Sequence, residues 1–220
     1  MEIDIRNFGA VVFDLDGTLV DSLPDMTSAL NRCFIDRGLR KLSIEEVRPL
    51  IGWGVEKMVR SAYQCIEITE TDQTIKKTIE DYVDYYKKFP ARDSQLYEGV
   101  LKTLEKLDKL GIKMGICSNK SFDMVKLILE SFGLIRYFCG ITGGDSVTFN
   151  KPDGRHILET LKIMNVDNKN ALMIGDTIND IKAAIEAKIK VVAVDYGYSQ
   201  LNELRAANTV VGNLSELFPR

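Results

Sequence analysis

Apolar residues recur with two different rhythms along the chain, and the change of rhythm divides it. Ala10-Val-Val-Phe13 is a run of four apolar residues ended by Asp14, which predicts a strand at the centre of a parallel sheet covered on both faces. From about Leu23 to Phe89 apolar positions recur every three or four residues: Leu23, Met26, Leu30 and Phe34, then Val55, Met58, Val59 and Ala62, then Ile75, Ile79, Tyr82, Val83 and Tyr86. That spacing predicts amphipathic helices with no strand between them. Beyond Gly99 the pattern predicts helices over 99–110, 122–132, 154–164 and 178–187, alternating with strands over 112–117, 138–142, 171–174 and 190–194. Such alternation is the sequence form of a doubly wound parallel sheet. The expected fold class is α/β, with the helical stretch inserted after the first strand and Phe89-Pro-Ala-Arg-Asp-Ser94 as the return linker.

Candidate chemistry falls at the strand ends, where open α/β sheets form their binding crevice. Asp14 and Asp16 follow the first strand, with Asp21 close behind. Adjacent carboxylates repel unless a cation holds them, and oxygen-only ligands suit a hard divalent ion, Mg²⁺. A helix cap needs only one acid. Ile174-Gly-Asp176 ends a later strand, with Asp180 four residues on, and reads as a second contribution to a metal site. Ser118 and Asn119 end the strand before them in the chain, where a hydroxyl, an amide and helix-start N–H groups can bind phosphate oxygens. Ser118 alone reads equally as a helix N-cap. Lys151, before Pro152, is either a solvent-exposed lysine or the cation that neutralises a phosphoryl group.

Composition narrows the class. The 220 residues are 45% hydrophobic with a net charge of −3, enough for a sizeable core. No basic stretch points to nucleic acid, and no apolar run is long enough to span a bilayer. The amino terminus does not resemble a signal peptide, and Cys33, Cys65, Cys117 and Cys139 lack the spacing of a metal or redox pair. They read as free thiols, so the expected location is the cytoplasm. The single histidine, His156, cannot complete a Ser-His-Asp triad alone and reads as a structural or surface residue.

In this order Asp14-Leu-Asp16-Gly-Thr, Ser118-Asn119, Lys151-Pro152 and Gly175-Asp176-x-x-x-Asp180 resemble the four motifs of the haloacid dehalogenase superfamily phosphatases. The resemblance implies a Rossmann-like core, residues 1–18 and 95–220, and a helical cap domain, residues 19–94. It implies Asp14 as nucleophile through an aspartyl-phosphate and Asp16 as acid and base. Mg²⁺ would be held by Asp14, the Asp16 main-chain carbonyl, Asp176 and Asp180, the last directly or through water. Ser118, Asn119 and Lys151 would bind the phosphoryl oxygens. An acid at position 16 favours phosphatases over dehalogenases. The opening Asp14-Leu-Asp-Gly-Thr-Leu-Val-Asp-Ser-Leu-Pro-Asp25 and the loop Val47-Arg-Pro-Leu-Ile-Gly52-Trp-Gly54 are similar to those of phosphoglycolate phosphatases. In that loop Gly52 and Trp53 read as a specificity segment, and Arg48 either as the partner of a substrate carboxylate or as a surface residue of a turn.

The implied partner is a small phosphorylated metabolite, and the implied assembly a monomer or homodimer. Inorganic pyrophosphatase, sugar-phosphate phosphatase and β-phosphoglucomutase activities belong to the same superfamily, although the helix Leu23 to Asp36 lacks the histidine usual in the mutases. Lys57 is not convincingly placed for a Schiff base. A non-catalytic binder of phosphorylated metabolites is the alternative of another class. Two departures from the common pattern, Tyr97-Glu-Gly99 and Lys151-Pro-Asp-Gly154, touch no catalytic group.

Overall fold

Strand β1 (Ala10–Phe13) is buried along its whole length, as its four apolar residues require. The computed structural model describes residues 3–219. After β1 come a two-residue strand β2 (Val20–Asp21) and helices α1 (Leu23–Ile35), α2 (Ile44–Val47), α3 (Val55–Cys65) and α4 (Asp72–Lys88), then a second two-residue strand, β3 (Gln95–Leu96). The remainder runs α5 (Val100–Lys109), β4 (Lys113–Cys117), α6 (Phe122–Ser131), β5 (Gly140–Thr142), α7 (Gly154–Ile163), β6 (Ala171–Gly175), α8 (Ile178–Glu186), β7 (Lys190–Val194) and β8 (Thr209–Val211).

Six strands form one sheet in the order β5-β4-β1-β6-β7-β8, all pairs parallel. The fold is Rossmann-like. β1 lies between β4 and β6, with Ala10 opposite both Lys113 and Ala171. The period-two alternation of a strand divides its residues between two cores. Val11 and Phe13 join the layer of Leu104, Leu107, Val125 and Ile128, from α5 and α6, whereas Ala10 and Val12 join Ile157, Leu161, Ala183 and Ala184, from α7 and α8. Because the chain moves from β1 to β4 and β5 on one side and returns to β6 on the other, the crevice opens where the strand order reverses.

The insertion between β1 and β4 is helical, as its periodicity predicts. Phe34 of α1 and Tyr63 of α3 meet with ring centroids 5.0 Å apart, and the Tyr63 hydroxyl lies 2.9 Å from Thr78 Oγ1 of α4. Its two connections to the sheet are paired as an antiparallel ribbon, β2 with β3. Asp25 ties them again, accepting hydrogen bonds from Asp93 N, Ser94 N and Ser94 Oγ at 2.6–3.1 Å.

Three strands do not emerge from the apolar pattern. β2 and β3 are too short to show alternation, and β8 is a three-residue edge strand between Asn208 and Gly212. The strand expected over 138–142 starts only at Gly140, because Ile135–Tyr137 forms a 3₁₀ turn that Phe138 closes.

Candidate active site

Loops leaving the carboxyl ends of β1, β4 and β6 bring the strand-end residues together. Asp14 N donates to Ile174 O at 2.9 Å, so the sheet ladder fixes where its side chain begins. One carboxylate oxygen each from Asp14, Asp176 and Asp180 lies within 4.8 Å of the others, and all three residues are buried. Asp176 accepts from Thr18 Oγ1 at 3.0 Å and from Tyr198 N at 2.8 Å. Asp180, in the first turn of α8, accepts from Thr177 N at 2.9 Å and Thr177 Oγ1 at 2.6 Å. Gly17 makes the approach of Asp176 possible: its φ is +83°, and a Cβ there would stand 2.2 Å from Asp176 Oδ2.

Lys151 enters this cluster from the loop before α7. Its Nζ lies 3.0 Å from Asp14 Oδ1 and 2.6 Å from Asp180 Oδ1, and the residue is 3% exposed. Of the two sequence readings, the surface lysine is therefore excluded. Burial works against the charge of Lys151, but Asp14 and Asp180 outweigh it and hold its pKa above the ordinary lysine value. Burial pushes Asp14 up to about 7, opposed by Lys151 and reinforced by Asp180 and Asp16. Asp176 is pushed well above the carboxylate range, first by burial and then by Asp180 and Asp14.

The donor set fits a divalent cation. With all groups ionised, three carboxylates and one ammonium leave two negative charges in a buried site. Hard oxygen ligands and that residual charge suit an ion such as Mg²⁺.

The Asp16 side chain stands outside this cluster. Its Oδ1 accepts from Ser22 Oγ and, at 2.7 Å, from Lys120 Nζ. Of the four acids expected to hold metal, three carboxylates converge, and any share for Asp16 falls to its main chain. Lys120 Nζ also lies 3.1 Å from the Tyr86 hydroxyl of α4. Ser118 is buried and its Oγ accepts from Lys120 N at 3.3 Å. It is not the N-cap of α6, because that position belongs to Ser121.

A cavity of about 100 Å³ lies between the strand ends and the insertion. Asp14, Asp16, Ser118, Asn119 and Lys120 face it from the sheet, and Met26, Met58, Tyr82, Val83 and Tyr86 from the helices. Of the three loop residues expected to govern specificity, only Gly52 borders it. Arg48 Nη1 instead donates to Gly197 O at 3.4 Å with its guanidinium over the Tyr198 ring, and Trp53 is 39% exposed beneath Lys57. The Gly52 carbonyl accepts from both Asn119 Nδ2 and Asn179 Nδ2 at 2.9 Å, and Asn119 Nδ2 also donates to Lys151 O at 2.8 Å. Gly52 has φ +95° and lies so close to the sheet loops that a Cβ would press on Thr177 Cγ2 at 3.3 Å.

Sequence reasoning gave no role to Lys120, Tyr82 or Asn179. Lys120 sits two residues beyond Ser118, and Asn179 beside Asp180, so proximity to a strand-end motif was the available signal.

His156, in α7, is fully buried, and neither ring nitrogen has a hydrogen-bond partner among the described residues. Burial, and then Lys151, push it from 6.5 down to about 4. A depressed folded-state histidine stabilises the fold fully above pH 6.5, and that contribution is lost as pH falls toward 4. At 1.36 kcal/mol per pH unit the shift amounts to on the order of 3 kcal/mol. Thermal melts of His156→Met should fall less between pH 7 and 4.5 than those of the wild type. Parallel curves for the two proteins would remove histidine from the account.

Fold and site define a Rossmann-like α/β protein whose polar groups gather around a strand-end aspartate. Residues 11–194 match the family described as haloacid dehalogenase-like hydrolase, and the chain belongs to that family. It is 36% identical over 190 residues to the phosphoglycolate phosphatase of Agrobacterium fabrum, covering 86% of this chain and 82% of the relative. Phosphoglycolate phosphatase 1 of Pseudomonas aeruginosa is 35% identical, over 95% of this chain and 78% of its own. Among solved structures, a predicted phosphoglycolate phosphatase from Haemophilus somnus superposes with a TM-score of 0.90 at 30% identity, covering 96% of each chain. No helix among the described residues is long and apolar enough to cross a membrane.

Proposed function

We propose that the chain is a Mg²⁺-dependent phosphomonoester hydrolase that works through an aspartyl-phosphate, with 2-phosphoglycolate as substrate. The observation that carries this reading is the divided placement of the two acids after β1. Asp14 lies in the buried cluster beside Lys151, and Asp16 faces the other wall of the cavity beside Ser22 and Lys120.

A carboxylate oxygen of Asp14 attacks phosphorus in line, and the bond from phosphorus to the leaving oxygen breaks. Asp16 gives that oxygen its proton. The same carboxylate then takes a proton from water as the water oxygen attacks phosphorus, and the bond to Asp14 breaks, releasing inorganic phosphate. Lys151, Ser118 and backbone N–H groups of the loop after β4 stabilise the phosphoryl oxygens. Asp14, Asp176, Asp180 and the main chain of Asp16 would hold the metal, which when bound would offset repulsion between nucleophile and phosphate. The helical insertion, residues 19–94, acts as a cap that excludes water, with the β2–β3 ribbon as its hinge.

A small cavity with an apolar roof favours a small leaving group over a sugar. Lys57 stacks on Trp53, 3.5 Å from its ring centroid, which gives no support to Schiff-base chemistry. Phosphate release with Mg²⁺ from 2-phosphoglycolate, pyrophosphate, sugar phosphates, nucleotides and phosphoserine tests the reading. The expected result is a dominant kcat/KM for 2-phosphoglycolate that chelation by EDTA abolishes. A pyrophosphate-led profile overturns the substrate, and no release from any compound leaves a binder.

A further inference from the structure

Lys120 is the single cation lining the cavity among the described residues, since Lys151 is engaged behind Asp14 with Asp180. An ammonium carries three donors. One meets Asp16 Oδ1 at 2.7 Å and a second the Tyr86 hydroxyl at 3.1 Å. Among the described residues the third finds only the Met26 thioether, at 3.9 Å, a weak acceptor. Nearby, Tyr82 lines the same cavity, and its buried hydroxyl has no hydrogen-bond partner among the described residues. Tyr82 and Tyr86 are neighbours on α4, with ring centroids 5.7 Å apart. An underused ammonium donor and an orphaned hydroxyl thus face one apolar space. An unpaired buried hydroxyl is costly unless a ligand completes it.

We propose that Lys120, together with the Tyr82 hydroxyl, recognises a carboxylate on the leaving group, the role that the loop sequence offered to Arg48. The assignment rests on the phosphoglycolate reading above. In 2-phosphoglycolate one methylene separates the carboxylate from the bridging oxygen. A substrate whose bridging oxygen meets Asp16 therefore presents its carboxylate to the residue hydrogen-bonded to Asp16, which is Lys120. Arg48 cannot serve without leaving Gly197 and Tyr198, because it lies outside the cavity. Pairing with both Asp16 and the substrate makes Lys120 a specificity residue that also positions the acid.

The test compares 2-phosphoglycolate with 2-hydroxyethyl phosphate, a near-isostere in which a neutral hydroxymethyl group replaces the carboxylate. Steady-state kinetics are measured for the wild type and for Lys120→Met, Tyr82→Phe and Arg48→Gln, with melting temperatures to confirm folding. The wild type should prefer the carboxylate substrate. Lys120→Met should cut the ratio of the two kcat/KM values by about 10- to 100-fold, the worth of a charge-assisted hydrogen bond, mainly through KM for 2-phosphoglycolate. Tyr82→Phe should lower the same ratio by a smaller factor, and it does so without touching Asp16. Equal losses on both substrates in Lys120→Met would show that Lys120 acts only through Asp16 and overturn the assignment. So would a preference that survives in Lys120→Met and Tyr82→Phe but collapses in Arg48→Gln. A wild type indifferent to the carboxylate overturns the substrate reading and this assignment together.

Discussion

Asp14→Asn is expected to reduce phosphate release by on the order of 10⁴-fold or more, as loss of a covalent nucleophile does, and to leave the metal-free fold at least as stable as the wild type. The two effects have one origin. Asp14 is buried against Asp180 and Asp16, and burial has already driven its carboxyl up to about 7. Asparagine keeps the shape, still accepts from Leu15 N, and removes one charge from an acid-rich site. What it loses, on the proposed mechanism, is the anionic oxygen that attacks phosphorus and contributes to the metal site. Metal binding supplies a second readout. A ligand present at a hundred times its Kd raises stability by about 2.7 kcal/mol, which in a chain of this length corresponds to several degrees in Tm. Titration with Mg²⁺ should raise the wild-type Tm in this way and raise that of Asp14→Asn much less. An asparagine variant that hydrolyses substrate at the wild-type rate would end the aspartyl-phosphate mechanism.

Lys151→Met should be the most destabilising substitution in the site. Lys151 is almost wholly buried, and it is the ammonium that Asp14 and Asp180 share. Methionine fills similar volume without charge, leaving two buried carboxylates facing each other. Removing one partner of a buried ion pair costs about 3–5 kcal/mol. Turnover should fall too, because on the proposed mechanism the phosphoryl oxygens lose their cation. Urea unfolding of the single variant and of Lys151→Met with Asp14→Asn separates the causes. If stranded charge is the cause, the double variant is more stable than Lys151→Met alone. A double variant in which the two losses simply add would point to lost packing around the aliphatic stem instead.

The central strand and its acids were legible because they break a rule in opposite ways. Ala10 to Phe13 is all apolar where a two-sided core demands it, and Asp14 and Asp176 are polar where the apolar run stops. The helical insertion was legible from periodicity, which survives in Met26, Leu30, Met58, Ala62, Tyr82 and Tyr86 as buried positions. Contacts between distant segments were not. Lys120 meets Asp16 across 104 residues and Asn179 meets Gly52 across 127, and no local pattern encodes either. Arg48 shows the converse limit. A cation four residues before Gly52 looks like a ligand group on paper, but the 3₁₀ turn Arg48–Leu50 sends it to Gly197. For His156 the sequence left a structural or a surface position open, and its full burial in α7 removes the surface position.

The Gly52 carbonyl takes its two hydrogen bonds from opposite banks of the crevice, the loop after β4 and the start of α8. Asn119 spends the same amide nitrogen on Lys151 O. Door and grip therefore share a fastening. If the insertion opens as proposed, Gly52 leaves both amides and Asn119 keeps only its tie to Lys151 O. On the proposed reading, a glycine carbonyl thereby links the position of the insertion to the backbone of the lysine beside Asp14.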